Sequence, residues 1–255
     1  NVAAINDLSG SSRCSLTVAL PIISACGCET CVLPSAVLST HTGGFAGYTF
    51  RDLTEDMPSI KEHWQKEGIQ FDAIYTGYLG STKQIDYVAD IMDSVSATKC
   101  VKVVDPAMAD NGKLYYGFDM EFVEAMKGLC AKADYVMPNI TEACFLTGTE
   151  YKEDYDRAYV DELLAKLTAI GCKNIIFTGI SYAEGKTGVV KATASGTWGG
   201  IGIKPVQDMS AYADADYLVV KIYAASGTNQ VLNFMLGDRE VSHRIDVTEY
   251  DTWVE

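Results

Sequence analysis

Short apolar runs, each ending in small, polar or proline residues, alternate with amphipathic helical stretches from the first residues to about residue 178. This alternation constrains the fold more than any other feature, because repeated strand-helix-strand units build a largely parallel sheet covered by helices. VAAI (2–5) reads as the first strand, followed by a helix over about 12–25 and a strand near 30–37. FDAIYTG (71–77), CVKVVDP (100–106), YVMPN (135–139) and NIIFTG (174–179) read as further strands. Between them, Ile85, Val88, Ala89, Met92 and Val95 share one helical face, as do Val160, Leu163, Leu164, Leu167 and Ile170. Such stripes are core. Residues 139–147 read as a short helix with Asn139 as N-cap and Glu142 at the third helical position, the spacing of a capping box. In an open parallel sheet ligands bind outside the carboxyl ends of the strands, so those ends are where chemistry is expected.

After about residue 195 the rhythm changes. GTWGGIGIKPV (196–206), DYLVVKIYAAS (216–226), QVLNFMLGD (230–238) and SHRIDVTEYDTWVE (242–255) read as strands broken by Gly, Asn and Asp turns, with no long helical pattern. Antiparallel strands, as in a β-sandwich or meander, are expected there. The division expected is therefore 1–195 as an α/β core and 196–255 as a β-rich segment.

With 255 residues, 48% of them hydrophobic and 10% aromatic, the chain has enough apolar content to fold around a sizeable core. No run approaches the roughly 20 apolar residues that span a bilayer, and no basic-then-apolar leader opens the chain, so no membrane partner and a cytoplasmic location are expected. The chain opens at Asn1 and enters a strand almost at once, so a trimmed natural start is expected. A formal net charge of -14 disfavours nucleic acid, whose binding depends on Lys and Arg neutralising phosphates. The cysteines at 14, 26, 28, 31, 100, 130, 144 and 172 lie mostly within apolar runs, which suits reduced, buried thiols. Cys26, Cys28 and Cys31 form C-x-C-x-x-C without a neighbouring fourth ligand, and are read as structural.

Six segments carry polar clusters at strand ends or helix starts: NDLSG (6–10), STHTGG (39–44), TGYLGS (76–81), VVDPAMADNGKLY (103–115), MPNITEA (137–143) and FTG (177–179). Hydroxyls and glycines in the first three let a ligand approach the backbone closely. Asp105 before Pro106 is a turn former on one reading. On the other, Asp105, Asp110 and Asn111 are oxygen ligands for a hydrated Mg²⁺ held against phosphates. Asn139 and Glu142 are explained by capping alone or by a phosphate role. His41 is read as a packing or substrate-contact residue.

The order and spacing of INDLSG (5–10), LSTHTG (38–43), TGYLGS, VVDPAMADNGKLY and PNITEA (138–143) resemble the pyridoxal/pyridoxamine (vitamin B6) kinases of the ribokinase superfamily, over residues 2 to about 190. The resemblance implies a ribokinase-like α/β fold and transfer of the ATP γ-phosphoryl group to the 5'-hydroxymethyl of pyridoxal, pyridoxamine or pyridoxine. By the same resemblance, Ser9 and Thr42 hydrogen-bond the pyridine substituents and Tyr78 lines that pocket. Asp105, Asp110, Asn139 and Glu142 organise the ATP phosphates, with Asp105, Asp110 and Glu142 toward Mg²⁺, while Tyr115 and Thr178 line the nucleotide side. A cytoplasmic homodimer is implied as well.

The resemblance stops in the last quarter. The family carries a Gly-Thr-Gly-Asp motif opening a late helix, where the carboxylate serves the attacking hydroxyl and the helix start holds the phosphate. The nearest string here is Gly227, Thr228, Asn229 and Gln230, beside a segment that reads as a strand, and it is a chance echo. Asp208, Asp214 and Asp216 are the carboxylates that could substitute. DMSAYADADYLVVKIYAASGT (208–228) and HRIDVTEYDTWVE (243–255) loosely resemble β-sandwich modules attached to carbohydrate-active enzymes. Trp198, Tyr217, Tyr223 and Trp253 could stack on sugars, although aromatics on strand faces more often pack. A chimera, a misassembled reading frame or an engineered sequence would each explain the junction. The second functional reading is a catalytically silent vitamin- or nucleotide-binding chimera with a carbohydrate-binding-like tail.

Overall fold

The computed structural model describes residues 1–11, 13–42, 45–183, 186–193, 222–223, 231–236, 239–246 and 253–254. The chain divides into two compact units, Asn1–Lys204 and Pro205–Glu255.

In the first unit β1 (Val2–Ser9) leads through α1 (Leu16–Ala25) to β2 (Thr30–Leu38) and a short β3 (Phe50–Asp52). A 3-10 turn and α2 (Met57–Lys66) then reach β4 (Phe71–Thr76), followed by α3 (Thr82–Ser94) and β5 (Ser96–Val104). The small hairpin β6 (Ala109–Asp110) and β7 (Lys113–Leu114) precedes α4 (Met120–Lys132) and β8 (Tyr135–Val136). Finally α5 (Ile140–Thr147) and α6 (Arg157–Ile170) lead into β9 (Asn174–Ala183) and β10 (Lys186–Thr193). The sheet order is β10-β9-β8-β5-β4-β1-β2-β3, with β10 and β3 antiparallel at the two edges and the inner strands parallel.

The chain moves from β1 to β2 in one direction, and from β4 through β5 and β8 to β9 in the other. Right-handed crossovers then put α1 on one face of the sheet and the later helices on the opposite one. The packing agrees: α2 to α6 contact one another in sequence, whereas α1 packs on β1 and β2. α3 to α6 start where a side chain accepts from a free backbone N–H group: Ser81 for α3, Asp119 for α4, Asn139 for α5 and Asp156 for α6. α5 and α6 end at Gly148 and Gly171, both with positive φ.

The core lies between the sheet and the α2–α6 layer. Ala3, Ile5, Leu33, Ile74, Val104, Val136 and Phe177 project into it from successive strands, meeting Ile85, Val88, Met92, Met126, Val160 and Leu163. Each large side chain fully buried there contributes about 1.5–3 kcal/mol. The α1 face is much more open. Only Leu16 of α1 is buried, and Ile22 is 58% exposed.

The structure differs from the sequence expectation in four places. β5 begins at Ser96 rather than Cys100, and β8 has only two residues, because Pro138 lacks the N–H that the ladder needs. β9 runs on to Ala183 and folds back as a hairpin with β10, which the parallel pattern had not anticipated. The expectation of buried thiols holds for Cys130, Cys144 and Cys172, but Cys26 and Cys28 are exposed and Cys31 is half-buried. Cys26 and Cys28 follow α1 on the open face of the sheet, so apolar neighbours in sequence did not make them interior.

In the second unit β11 (Ile222–Tyr223) pairs antiparallel with β14 (Trp253–Val254), and β12 (Val231–Leu236) with β13 (Arg239–Asp246). Trp198, Asp208, Asp214, Asp216, Tyr217 and the string Gly227–Gln230 lie outside the described residues, as do the side chains of Tyr223 and Trp253. No described helix is long and apolar enough to cross a membrane.

Candidate active site

The reversal of strand order leaves a crevice where the parallel β1 and β4 end side by side, the position at which open α/β sheets bind ligands. Two strand ends are locked together there by one side chain. Asn6 Oδ1 accepts from the backbone N–H of Asp7 at 2.9 Å and from that of Tyr78 at 2.8 Å. Gly77 makes this possible, since a Cβ at that position would lie 2.1 Å from Asn6 Nδ2. Beyond a register shift in β1, Ser9 Oγ donates to Asp7 Oδ2 at 2.8 Å, with both residues buried. Tyr78 stacks on Phe118 with centroids 5.7 Å apart, and Phe118 stacks in turn on Phe122. Burial, and then the charge of Asp7 with Tyr48 and Asp52 close by, pushes the Tyr78 phenol up to about 12. Ser9 and Tyr78 thus meet around Asp7. Thr42 is exposed and makes no hydrogen bond to either among the described residues, while the neighbouring His41 ring packs edge-on against Phe45 at 5.3 Å.

A second cluster forms where β5 ends and α5 starts. The Asp105 N–H donates to Thr76 O at 2.9 Å, holding the residue at the strand end. Its side chain keeps a little accessible surface yet is densely surrounded, and burial pushes its carboxyl up to about 6 against the opposing influence of the Tyr75 phenol. Glu142 is buried, with Oε2 accepting from Asn139 N–H at 2.7 Å and Oε1 from Met108 N–H at 3.3 Å. Burial and then the Asp105 charge hold it well above the usual carboxylate range, although these backbone N–H groups and that of Ala109 favour the ionised form. Tyr115 is pushed up to about 12 by burial and then by Glu142, Asp110 and Asp105, so all three carboxylates act on its hydroxyl.

The details revise several expectations. Asn139 and Glu142 form the full capping box, and Asn139 Nδ2 donates to Ala109 O at 2.9 Å, so the pair ties the β6–β7 hairpin to α5. Asp110 and Asn111 belong to that hairpin. Asn111 and Gly112 have φ of 50° and 73°, the pair of positive values a two-residue type I' turn needs. Asp110 Oδ1 accepts from the Asn111 N–H at 2.8 Å and is exposed. Thr178 is tied to the same region, its N–H and hydroxyl both donating to Pro138 O. Among the described residues no three His, Cys, Asp or Glu side chains are arranged to hold a metal ion, so the expected trio of Asp105, Asp110 and Glu142 does not form a cage. Glu142 is committed to backbone N–H groups and Asp110 to its own turn.

The arrangement still fits Mg²⁺. No ion pair with Lys or Arg serves Asp105 or Glu142 among the described residues, and the two carboxylates disfavour each other's charge. Mg²⁺ commonly takes one or two carboxylates and completes its shell with phosphates and water. An open cavity of about 690 Å³ on the α1 face reaches Tyr78 of the first cluster and Asp105 of the second, with Asn6, Arg13, Tyr75 and Met137 also in its lining; Ser9, Asp7 and Glu142 do not line it. Asp7 and Tyr75 were not assigned roles from sequence. Strand alternation was the available signal for Tyr75, since it puts Tyr75 on the same face as Gly77.

An open sheet with a reversal point, a hydroxyl-and-aromatic pocket on one side and a carboxylate cluster on the other defines a ribokinase-like α/β body. The model of the phosphomethylpyrimidine kinase family matches residues 20–197, and the chain belongs to that family. A solved Bacteroides thetaiotaomicron VPI-5482 protein described as a phosphomethylpyrimidine kinase, in a crystal form with pyridoxal, is 44% identical with a TM-score of 0.72. That match covers 76% of this chain and 68% of the other. Pyridoxal kinase from Lactobacillus plantarum is 29% identical with a TM-score of 0.72, over 81% of this chain and 73% of that one. A Dictyostelium discoideum pyridoxal kinase is 32% identical over 112 residues, 43% of this chain and 35% of its own length. The chain spans between about a third and a half of the curated relatives it matches, at 35%, 46% and 47% of their lengths.

Proposed function

We propose that this protein binds a B6 vitamer and MgATP and transfers the γ-phosphoryl group to the vitamer's 5'-hydroxymethyl. The observation that carries this reading is the meeting of two chemically distinct clusters at one sheet reversal: Asp7, Ser9 and Tyr78 on one side, Asp105, Glu142 and Tyr115 on the other. The pyridoxal-containing crystal form of the Bacteroides relative supports the choice of vitamer.

On this reading Tyr78, backed by Phe118, offers an aromatic face to the pyridine ring. Ser9, whose hydroxyl hydrogen is given to Asp7, keeps oxygen lone pairs for a donor on the ring. Thr42 joins it from the loop after β2. Asp105 and Glu142 hold Mg²⁺ with the phosphates, and the bound ion neutralises phosphate charge. Asn139, with both side-chain ends engaged, positions Glu142 and the hairpin, while Tyr115 and Thr178 border the nucleotide. In phosphoryl transfer most of the protein's contribution is positioning and charge, so these residues carry the larger part of it. The string Gly227–Gln230 has no carboxylate to take the hydroxyl proton. Residues 1–195 form the kinase core on this reading, and a cytoplasmic homodimer goes with it.

The experiment is incubation of the full chain with MgATP and each of pyridoxal, pyridoxamine and pyridoxine, with mass-spectrometric detection of the 5'-phosphate. Product that requires both MgATP and vitamer is the expected result. Failure to bind either ligand would sink the proposal.

A further inference from the structure

Tyr75 has no assigned role, yet it occupies an unusual place. Ile74 and Thr76, its neighbours on β4, face the buried core and have no exposure, so alternation sends Tyr75 to the opposite, α1 face with Ala73 and Gly77. That face is mostly apolar near the cavity, lined by Val2, Val18, Ala73 and Val103. A phenol on such a face needs a partner. The register supplies one. Tyr75 lies opposite Val103 on β5, and Asp105 stands two residues further along, roughly 6.6 Å at the rise of a parallel strand. This is about the reach of a tyrosine side chain leaning along its strand; both residues line the same cavity, and the nearby phenol favours the charged form of the Asp105 carboxylate. The backbone reinforces the placement, because the Asp105 N–H is held by the carbonyl of Thr76, the residue after Tyr75.

We propose that Tyr75 is a positioning residue for Asp105, fixing its carboxylate from the α1 face so that the free oxygen meets Mg²⁺ and the nucleotide phosphates. This rests on the phosphate half of the function proposed above. Tyr75 touches no reacting atom and acts only through Asp105. Glu142 is aligned by the backbone N–H groups of Asn139 and Met108, so the two carboxylates are oriented by independent devices.

The test is calorimetric titration of Mg²⁺ into the full chain with ADP, compared with Tyr75→Phe, Asp105→Asn and the double variant. Tyr75→Phe is expected to raise the Mg²⁺ concentration for half-saturation roughly tenfold, the effect of losing one hydrogen bond to a charged group. It should leave pyridoxal affinity unchanged, and it should have no further effect in the Asp105→Asn background. Tyr75→Leu, which keeps an apolar side chain on that face, reads the same loss should the phenylalanine variant not fold. Unchanged Mg²⁺ dependence in Tyr75→Phe, or an equal loss with and without Asp105, overturns the inference while the functional proposal stands. Absence of Mg²⁺-dependent ADP binding in the unaltered protein overturns both.

Discussion

Replacing Gly77 with alanine should damage this protein far more than one methyl group warrants. The added Cβ would lie 2.1 Å from Asn6 Nδ2 and 2.5 Å from Asn6 Cγ, too close for any small adjustment. Asn6 must swing away, and its Oδ1 then releases the backbone N–H groups of Asp7 and Tyr78, which it holds at 2.9 and 2.8 Å. One buried and one partly buried hydrogen bond at about 1 kcal/mol each, with the desolvation cost of any N–H left unpaired, give a destabilisation of about 2–4 kcal/mol. The backbone is not the obstacle, since Gly77 is absent from the glycines with positive φ. Urea denaturation monitored by tryptophan fluorescence measures the loss. The control is Asn6→Ala, which removes the colliding side chain, so Gly77→Ala in that background should cost at most about 1 kcal/mol. An equal cost in both backgrounds would refute the steric argument, as would a Gly77→Ala variant as stable as the parent. Because Asp7 and Tyr78 belong to the proposed vitamer side of the site, the single variant should also lose pyridoxal affinity at temperatures where it stays folded.

Two further outcomes follow from burial and charge. Asp105 has its pKa raised from 3.8 to about 6, so between those values the folded protein binds more protons than the unfolded chain, and stability falls as pH rises through that window. Below pH 4 the cost is absent, and above about pH 6 it is complete, on the order of 2–3 kcal/mol. Asp105→Asn should therefore stabilise the ligand-free protein at pH 7.5 and much less at pH 4, measured by thermal unfolding at both; a variant no more stable at pH 7.5 would contradict the burial assigned to Asp105. Iodoacetamide under native conditions should modify Cys26 and Cys28 and spare Cys130, Cys144 and Cys172, read by peptide mass mapping. Equal labelling of both groups would contradict the packing described.

The helices and inner strands were legible because their apolar spacing matches what the sheet and the α2–α6 layer bury, as with Ile85, Val88 and Met92. The capping box was legible for the same local reason: Asn139 and Glu142 stand three apart at a helix start, and no tertiary information is needed to place them. Exposure of Cys26 and Cys28 was not, because it depends on what covers the α1 face and not on the apolar character of α1 itself. Asn111-Gly112 carried a strong hairpin signal, but reading Asp110 and Asn111 as metal ligands obscured it. Asp7 and Tyr75 received no role from the sequence because their meaning is relational: each matters through a partner, Ser9 or Asp105, that strand pairing and the bend at the end of β1 bring near.

The division of the site is the central claim, with vitamer recognition at the end of β1 and phosphate handling at the end of β5. Calorimetry of the full chain with pyridoxal and, separately, with ADP plus Mg²⁺ tests it, using Ser9→Ala and Asp105→Asn. Both ligands should bind the unaltered protein, with Ser9→Ala weakening pyridoxal roughly tenfold through one lost hydrogen bond and sparing the nucleotide, and Asp105→Asn doing the reverse. Loss of both ligands in both variants, or binding of neither ligand by the unaltered chain, would contradict it.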